Sequence, residues 1–311
     1  MARAVRAEWG ASVRSAIRVH APAKVNLALA VGPRCSDGYH AIRTVLQAVA
    51  LWDDLEVRPC EHLRVCCDDP AAGNGRRNLV WQAAAALRQA AGLTAGASIR
   101  ICKRIPVQAG LGGGSADAAA TLLACNRLWD LRWPQVRLAA VAARVGADVP
   151  FFLVGGTAVA CGRGEQVRRL PPLPAWPVVL ARVGPGASTA EVYAAFDRLG
   201  LAKGPPTLAS RWTRPIGPAA HRKELRAMLF NDLQPAALDG RADAQALLER
   251  LSSRGALAAM VAGSGSAVWA LAPSAAWAST AAAALNAEGV WALASRFWPG
   301  GVRSGLVRGW P

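Results

Sequence analysis

The pattern of apolar and polar residues predicts strands near the start of the chain. Residues 15–31 alternate between the two types on both sides of a central proline, which predicts two strands or one strand bent at the proline. Lys24 and Asn26 lie two positions apart in this stretch, so their side chains point to the same face of the strand. Residues 97–103 alternate in the same way and lie just before a glycine-rich segment. The first half of the chain is therefore expected to form a sheet that carries a few polar side chains at defined places.

Helical segments alternate with strands along the rest of the chain. Alanine- and leucine-rich stretches predict helices at 78–91, 116–128, 134–145, 190–199, 242–254 and 275–287, and further strands are expected at 53–57, 151–160, 178–183 and on both sides of a glycine turn within 258–271. Because the alternation lacks the regular spacing of a barrel, it predicts a two-domain α+β protein. Four prolines between positions 171 and 177 mark the boundary, so we expect a disordered extension over 1–17 and domains at 18–170 and 171–311.

The most informative local pattern is the segment from Pro106 to Thr121, in which four glycines and a serine lead into an alanine-rich helix. A strand, a glycine loop and a helix start in this order present free backbone N–H groups and a positive helix end to an anion. Ser115 precedes the expected helix, where its hydroxyl could cap the helix, contact a phosphate or bind a magnesium ion. A Walker loop would need a lysine before this serine, and the dinucleotide-binding pattern would need a glycine in its place. The segment therefore predicts a phosphate-binding loop of a different kind.

Composition narrows the possible classes of protein. A hydrophobic content of 53% and a charged content of 18% exclude a disordered chain. The net charge of +16 comes almost entirely from arginine, since the only lysines are Lys24, Lys103, Lys203 and Lys223. The arginines are scattered along the chain rather than clustered, so we expect no nucleic-acid partner. Because lysine is so rare here, each lysine invites a search for its role.

Cysteine usage and hydropathy bear on the compartment. The cysteines are 7 in number and include no C-x-x-C pair, which predicts a reducing compartment without a disulfide framework or zinc site. The most apolar stretch, residues 256–285, is broken by glycine, serine and proline, so no membrane span is expected. The start of the chain has no apolar core typical of a secretory signal. We expect a cytoplasmic protein without a membrane partner, either a monomer or a weak homodimer.

Three segments together resemble the GHMP kinase superfamily of small-molecule kinases: residues 22–27, 106–120 and 262–266. Within the superfamily, the sequence is most similar to kinases that phosphorylate a cytidine diphosphate-linked sugar alcohol, through Asp37-Gly-Tyr-His40 and Gly146-Ala-Asp-Val-Pro150. The resemblance extends over nearly the whole chain. It implies an N-terminal ribosomal-protein-like βαβ domain and a C-terminal ferredoxin-like α/β sandwich.

The resemblance also implies an activity. It implies ATP-dependent phosphorylation of the 2-hydroxyl of a cytidine diphosphate-linked methylerythritol, in the non-mevalonate route to isoprenoids, with ATP and Mg²⁺ as cofactors. The catalytic pair of the family maps onto Lys24 and Asp148. Asp148 would accept the proton of the substrate hydroxyl, and Lys24 would hold the hydroxyl oxygen and keep the carboxylate ionised. Alternatively, Asp148 could cap a helix and Lys24 could be a strand residue whose ammonium reaches solvent.

The nucleotide site implied by the resemblance is the glycine loop with its neighbours. Its residues are Asn78, Lys103, Pro106, Ala109, Gly110, Leu111, Gly112, Gly113, Gly114 and Ser115, of which Ser115 is also the candidate magnesium ligand. Asn78 could equally be the N-cap of its own helix, and Lys103 could be either a nucleotide contact or a solvated side chain. Gln108 stands where many relatives have a glycine, which puts its contact with the nucleotide in doubt.

The implied substrate site consists of Asn26, Tyr39, His40, Thr189, Tyr193, Gly263, Ser264 and Gly265. The two tyrosines would sandwich the cytosine ring, and His40 would hydrogen-bond to its edge. Asn26 would bind the erythritol hydroxyls and Thr189 another polar group of the substrate. Two alternatives stay open: another GHMP kinase with a smaller alcohol substrate, and a basic, non-catalytic RNA-binding protein of similar fold.

Overall fold

The computed structural model describes residues 16–184, 188–213 and 221–304, so the expected extension over 1–17 lies almost wholly outside the described residues. The strands are β1 (Ile17–Arg34), β2 (His40–Cys60), β3 (Arg64–Cys67), β4 (Gly96–Cys102), β5 (Thr157–Gly162), β6 (Gln166–Arg169), β7 (Pro177–Arg182), β8 (Phe230–Asn231), β9 (Ala258–Val261), β10 (Ala267–Leu271), β11 (Trp291–Arg296) and β12 (Arg303–Ser304). The helices are α1 (Leu79–Ala90), α2 (Gly113–Leu128), α3 (Gln135–Val145), α4 (Val149–Val154), α5 (Thr189–Arg198), α6 (His221–Met228), α7 (Gln234–Leu238), α8 (Ala242–Ser253) and α9 (Ala275–Ala287). Among these helices, none has the length and apolar character needed to cross a lipid bilayer.

The first sheet is built on β1 and β2, which pair antiparallel along most of their length. Its strand order is β12-β1-β2-β4-β3, with β5 paired to another part of β2 and β8 paired to β1. Residues 17–34 form one strand rather than two, and its register shifts between Pro22 and Ala23. The alternative of a single strand bent at the proline is therefore confirmed.

β2 is a single strand of 21 residues, although the sequence predicted a separate short strand at 53–57. Asp53 and Asp54 lie in its middle and are buried, where carboxylates are disfavoured unless they are paired. Asp53 Oδ1 accepts hydrogen bonds from the backbone N–H groups of Arg104 (2.6 Å) and Ile105 (2.8 Å). This carboxylate therefore connects β2 to the segment that follows β4. With its charge paired in this way, Asp53 can lie within β2, although aspartate is uncommon inside strands.

α4 corrects a second prediction, because residues 151–154 are helical and the following strand begins only at Thr157. A short apolar run such as Val-Pro-Phe-Phe-Leu-Val does not distinguish a buried helix from a buried strand by periodicity. Pro150 in the first turn and Gly155 after the last residue are typical of a helix start and a helix end.

The second sheet has the strand order β11-β7-β10-β9, and all of its pairs are antiparallel. Its strands and the helices between them follow the chain order β-α-β-β-α-β, which is the ferredoxin-like arrangement. Two short strands from the second half of the chain, β8 and β12, do not join this sheet and instead pair with β1 of the first sheet. The described structure thus confirms the α+β class with two sheets, while the exact boundary at residue 171 stays a prediction.

One hydrophobic cluster joins the two sheets. Val25 and Leu27 of β1 belong to the same buried cluster as Leu180 of β7 and Trp269 of β10. The alternate positions of β1, Lys24 and Asn26, line the large cleft described below. β1 therefore contributes one face to the shared core and the other to the candidate site.

Candidate active site

A cleft of about 1290 Å³ brings together almost all of the predicted site residues. The predicted residues that line it are Lys24, Asn26, Tyr39, His40, Asn78, Lys103, Pro106, Ala109, Gly110, Gly112, Gly113, Gly114, Ser115, Asp148, Thr189, Tyr193, Gly263 and Ser264. Leu111 and Gly265 do not line the cleft. Its size is sufficient for a nucleotide and a second substrate together.

Lys24 and Asp148 form a pair in this cleft, with 3.9 Å between Lys24 Nζ and Asp148 Oδ2. The side chain of Lys24 is buried and donates a hydrogen bond to Asn26 Oδ1 (2.8 Å), so its ammonium does not reach out into solvent. Asp148 directly precedes α4, but its side chain makes no capping hydrogen bond, and 39% of it is exposed. Its carboxylate is therefore available to a ligand in the cleft.

Burial, the charge of Asp148 and a chain of hydrogen bonds together determine the state of Lys24 in this pair. Burial lowers the pKa of the Lys24 ammonium from its usual value, and the negative charge of Asp148 raises it in part. Asn26 is fixed in turn, because its Nδ2 donates to Thr44 Oγ1 (2.9 Å), which donates to the carbonyl of Ala28 (2.8 Å). A short chain of hydrogen bonds thus holds the lysine from the sheet side.

The start of α2 differs from the prediction in a way that improves an anion site. The helix begins at Gly113, three residues earlier than expected, and its N-cap is Gly112 in the left-handed conformation with φ 73°. Ser115 is therefore in the first turn and is not the N-cap. The first amide bonded within the helix is that of Ala116, which donates to Gly112 O (2.9 Å). The amides of the first turn (113–115) thus lack an acceptor within the helix, as expected of a phosphate cradle.

Two glycines of the loop are required by close contacts and by their backbone conformation. Gly110 has φ 76°, and an added Cβ would lie 2.0 Å from the carbonyl oxygen of Ala262. At Gly112 an added Cβ would lie 2.7 Å from Phe152 Cζ and 2.9 Å from Lys24 Cγ. The loop therefore packs directly against the glycine turn of the second half and against the stem of Lys24.

Leu111 contacts the cleft residue Lys24 through its backbone carbonyl, whereas its side chain packs in the core. Its side chain is fully buried, and its carbonyl accepts a hydrogen bond from the backbone N–H of Lys24 (2.9 Å). The neighbouring carbonyl of Ala109 accepts one from Ala267 (2.9 Å). Gln108 has φ 55°, a left-handed conformation that explains why glycine suits this position.

Lys103 is neither solvated nor free to move. Its Nζ lies 2.5 Å from Asp53 Oδ2 and 2.8 Å from Asp117 Oδ2, and all three side chains are almost fully buried. Burial lowers the pKa of Lys103, but the charges of Asp117 and Asp53 outweigh this and raise it above its usual value. Burial and the charge of Asp53 raise the pKa of Asp117 to about 8. An added Cβ at Gly113 would lie 3.0 Å from Lys103 Nζ. The cluster of Lys103, Asp53 and Asp117 therefore packs directly against the first turn of α2.

Sequence reasoning missed both carboxylates of this cluster. The rarity of lysine singled out Lys103, but nothing local indicates that Asp53 and Asp117 converge on it across 64 residues of chain. Asp117 is also one of the residues that line the cleft, and its Oδ1 is buried without a hydrogen-bond partner among the described residues.

Asn78 is the N-cap of α1. Its Oδ1 accepts a hydrogen bond from the backbone N–H of Val80 (2.9 Å), and its Nδ2 donates to the carbonyl of Gly73 (2.9 Å). The capping alternative is therefore observed, while a contact between this residue and adenosine stays a prediction.

Aromatic and charged side chains surround the opposite end of the cleft. Tyr39 is 57% exposed, and the Arg163 guanidinium carbon lies 3.9 Å from the centroid of its ring. Arg163 is fixed by Asp37, with 2.7 Å between Nη2 and Oδ2. The backbone N–H of Tyr39 and then the Arg163 side chain hold the pKa of Asp37 below its usual value. The Arg163 guanidinium thus covers part of the Tyr39 ring, and the rest of the ring is exposed to solvent.

Tyr193 is packed against His40, with 5.0 Å between ring centroids. Burial, and then the charge of Asp148, raises the pKa of Tyr193 to about 12, so its hydroxyl keeps its proton. Both ring nitrogens of His40 have protein partners: Nδ1 lies 2.9 Å from the carbonyl oxygen of Gly32, and Nε2 lies 3.3 Å from Asp197 Oδ1. The predicted contact of His40 with a cytosine edge therefore stays a prediction, and Asp197 is a cleft residue that sequence reasoning missed.

The glycine turn of the second half closes the cleft beside Lys24. An added Cβ at Gly263 would lie 3.3 Å from Lys24 Nζ, and the carbonyl of Gly263 accepts a hydrogen bond from Asn231 Nδ2 (2.7 Å). Thr189 Oγ1 lies 3.0 Å from Ser264 Oγ, so these two hydroxyls form one polar group. Gly265 acts within the turn, where its N–H donates to Ala262 O (2.9 Å).

Several arginines also line the cleft: Arg34, Arg77, Arg144 and Arg163. Together with Lys24 and Lys103 they outnumber the four acidic residues of the lining (Asp117, Asp148, Glu165 and Asp197), a balance that favours a ligand carrying phosphates. They were missed because arginine is abundant everywhere in this chain, so no single one stands out in the sequence.

Two family patterns match the chain. The pattern described as GHMP kinases N terminal domain matches residues 78–156, and that described as GHMP kinases C terminal matches residues 218–290. The solved homoserine kinase of Cytophaga hutchinsonii is 18% identical and shares the fold, with a TM-score of 0.68 over 96% of this chain and 99% of that chain. Fold and cleft together define a GHMP kinase.

More similar proteins define the narrower family. The 4-diphosphocytidyl-2-C-methyl-D-erythritol kinase of Thermobifida fusca (strain YX) is 42% identical over 293 residues, covering 88% of this chain and 93% of that relative. The protein of the same name from Pelotomaculum thermopropionicum is 44% identical over 81% of this chain and 87% of that relative. A crystal structure of 4-(cytidine 5'-diphospho)-2C-methyl-D-erythritol kinase is 36% identical, with a TM-score of 0.75 over 91% of this chain and 99% of that chain. The chain belongs to the 4-diphosphocytidyl-2-C-methyl-D-erythritol kinase family, which confirms the predicted fold and kinase class and removes the support for a non-catalytic RNA-binding protein.

Proposed function

We propose that this protein transfers the γ-phosphoryl group of ATP to the 2-hydroxyl of 4-diphosphocytidyl-2-C-methyl-D-erythritol, giving ADP and the 2-phosphate. Its place would be the non-mevalonate route to isoprenoids. The observation that carries the proposal is the pairing of Lys24 and Asp148, 3.9 Å apart, in the same cleft as the glycine-lined start of α2. The names of its relatives supply the substrate.

Asp148 accepts the proton of the substrate 2-hydroxyl as that oxygen attacks the γ-phosphorus. A bond forms between the 2-oxygen and the γ-phosphorus, and the bond from this phosphorus to the bridging oxygen of ADP breaks. Lys24 holds the attacking oxygen and compensates the negative charge beside it. General-base assistance of this kind contributes about 10²–10⁴ in rate.

The amides of Gly113, Gly114 and Ser115 bind the phosphates of ATP, supported from below by Lys103. A magnesium ion fits this end of the cleft, because a hydroxyl and an unpartnered carboxylate oxygen lie there, from Ser115 and Asp117. The described residues contain no group of three or more acidic, histidine or cysteine side chains that could hold a metal by themselves. Ser115 and Asp117 would help to hold such an ion, which would supply positive charge to the phosphoryl group during transfer.

Tyr39 and Tyr193 bind the cytosine ring by stacking, which is worth about 1–3 kcal/mol per base. Arg163 covers one face of Tyr39 and orients the ring, so the base stacks on the remaining surface. The hydroxyls of Thr189 and Ser264, 3.0 Å apart, bind polar groups of the substrate beside Lys24 and Asn26.

The proposal is tested by measuring ADP formation with a panel of alcohols: the cytidylyl substrate, its 2-deoxy analogue, homoserine and mevalonate. Turnover is expected only with the cytidylyl compound that carries the 2-hydroxyl, and phosphorus NMR should find a phosphomonoester on that oxygen. Chelation of divalent cations should abolish turnover, and added Mg²⁺ should restore it. Efficient phosphorylation of homoserine or mevalonate, without turnover of the cytidylyl compound, would reject the proposal.

A further inference from the structure

We propose that Asp197 accepts a hydrogen bond from the 4-amino group of the cytosine ring and thereby selects cytidine over uridine in the substrate. The inference rests on the proposed function and adds a specificity-determining residue to it. Asp197 lines the cleft at the end that holds Tyr39, His40 and Tyr193.

The position of Asp197 on α5 places it beside the proposed base. It follows Tyr193 by four residues, so the two side chains lie on one face of the helix. Its side chain is 34% exposed, which leaves the carboxylate accessible from the cleft. A base stacked on Tyr193 would therefore lie about one helical turn from this carboxylate.

The surroundings of His40 show which side-chain group can face the base. A carbonyl oxygen only accepts hydrogen bonds, so the contact of Nδ1 with Gly32 O (2.9 Å) uses one ring nitrogen as a donor. The other ring nitrogen, Nε2, lies 3.3 Å from Asp197 Oδ1, a contact that is an ion pair only when both ring nitrogens carry a proton. The second carboxylate oxygen, Asp197 Oδ2, has no hydrogen-bond partner among the described residues. This oxygen is an unpaired acceptor beside the His40 and Tyr193 rings, which contact each other.

The chemistry of this oxygen matches cytosine and opposes uracil. Cytosine carries an amino group at C4, which only donates hydrogen bonds, whereas uracil carries an oxygen there, which only accepts them. An ionised carboxylate accepts and cannot donate, so it attracts the first ring and repels the second. His40 lies on the Oδ1 side of this carboxylate, so Oδ2 is the oxygen open to the base.

The experiment compares the 4-diphosphocytidyl and 4-diphosphouridyl forms of methylerythritol as substrates of three proteins: wild type, Asp197→Asn and the control Asp239→Asn. Asp239 is matched because it pairs with Arg198, the neighbour of Asp197, and lies outside the cleft lining. The ratio of kcat/KM for the cytidylyl form to that for the uridylyl form is measured by coupled ADP release.

Asp197→Asn should lower this ratio by about 10- to 100-fold, because the amide can donate to the uracil oxygen as well as accept from the amino group. The change should appear mainly in KM, and Asp239→Asn should keep the wild-type ratio. Asp197→Glu retains an acceptor and should keep most of the discrimination while binding both substrates more weakly. It also serves as the second variant should Asp197→Asn fold poorly by circular dichroism.

The outcomes separate this inference from the function on which it rests. A wild-type protein that turns over neither nucleotide form refutes the proposed function and the inference with it. A wild-type protein that prefers the cytidylyl form, together with an Asp197→Asn variant of unchanged ratio, overturns only the inference and leaves Asp197 as a support for His40.

Discussion

Gly112 lies in the proposed phosphate loop and packs against Lys24, the lysine proposed to act in catalysis, so replacing it with alanine tests whether the loop positions this lysine. The residue has φ 73°, and its added methyl would overlap Phe152 Cζ (2.7 Å) and Lys24 Cγ (2.9 Å). Gly112→Ala therefore combines backbone strain with a steric clash. Because the Phe152 ring is fully buried, the flexible stem of Lys24 is expected to give way first.

The two effects can be given magnitudes. A left-handed conformation costs an alanine about 1–2 kcal/mol, and an extra methyl in a packed core costs about 1–3 kcal/mol. Gly112→Ala should therefore lower the free energy of unfolding by about 2–5 kcal/mol. A shift of the Lys24 ammonium by about 1 Å relative to Asp148 should lower kcat by about 10²-fold.

Gly92→Ala is the matched control, because Gly92 also has a positive φ of 65° but no atom lies within 4 Å of its added Cβ. It should lose only the backbone contribution of about 1–2 kcal/mol and keep the wild-type kcat. Urea unfolding followed by circular dichroism gives the stabilities, and coupled ADP release gives kcat with the cytidylyl substrate. If Gly112→Ala matches Gly92→Ala in both stability and kcat, the methyl is accommodated and the loop does not position the lysine.

Three further changes test the site. Asp148→Asn should lower kcat by about 10²–10⁴ while KM for ATP and alcohol stays within a few-fold, as measured by steady-state kinetics; a fully active variant would rule out the base. Tyr39→Ala should raise KM for the cytidylyl substrate about 10-fold and leave KM for ATP unchanged, whereas equal effects on both would contradict stacking. Lys103→Met should cost about 3–5 kcal/mol in urea unfolding, because the buried carboxylate of Asp53 loses its cation beside Asp117. A loss below about 1 kcal/mol would show that the cluster is not a stabilising one.

Local patterns were sufficient where the determinants of structure are close in sequence. α9 occupies the predicted residues 275–287, because Ser274 caps it and accepts a hydrogen bond from Trp277. The proposed phosphate loop could be singled out because glycines, serine and a helix-forming run follow one another within 16 residues. The helix nevertheless begins at Gly113, before the alanine-rich run, with the left-handed Gly112 as its N-cap. The glycines at 113 and 114 therefore belong to the first helical turn and not to the loop.

Long-range pairing set the limit of prediction. Asp53 within β2 looked like the start of a new strand, since its partners Lys103 and Arg104 are about 50 residues away. Asp197 was indistinguishable from an ordinary charged residue on an amphipathic helix, and only the fold places it against His40. Such residues carry no local signature, because their role arises from tertiary contacts alone.

β1 has a consequence for any attempt to isolate the N-terminal half. β2 pairs along one side of this strand, and two short segments from the second half of the chain, β8 and β12, pair with it as well. A fragment that stopped before β8 would leave those backbone groups of β1 exposed and strip the apolar side chains that face the second sheet. Exposed edges of this kind recruit other strands, so we expect such a fragment to self-associate rather than to bind nucleotide as an independent module.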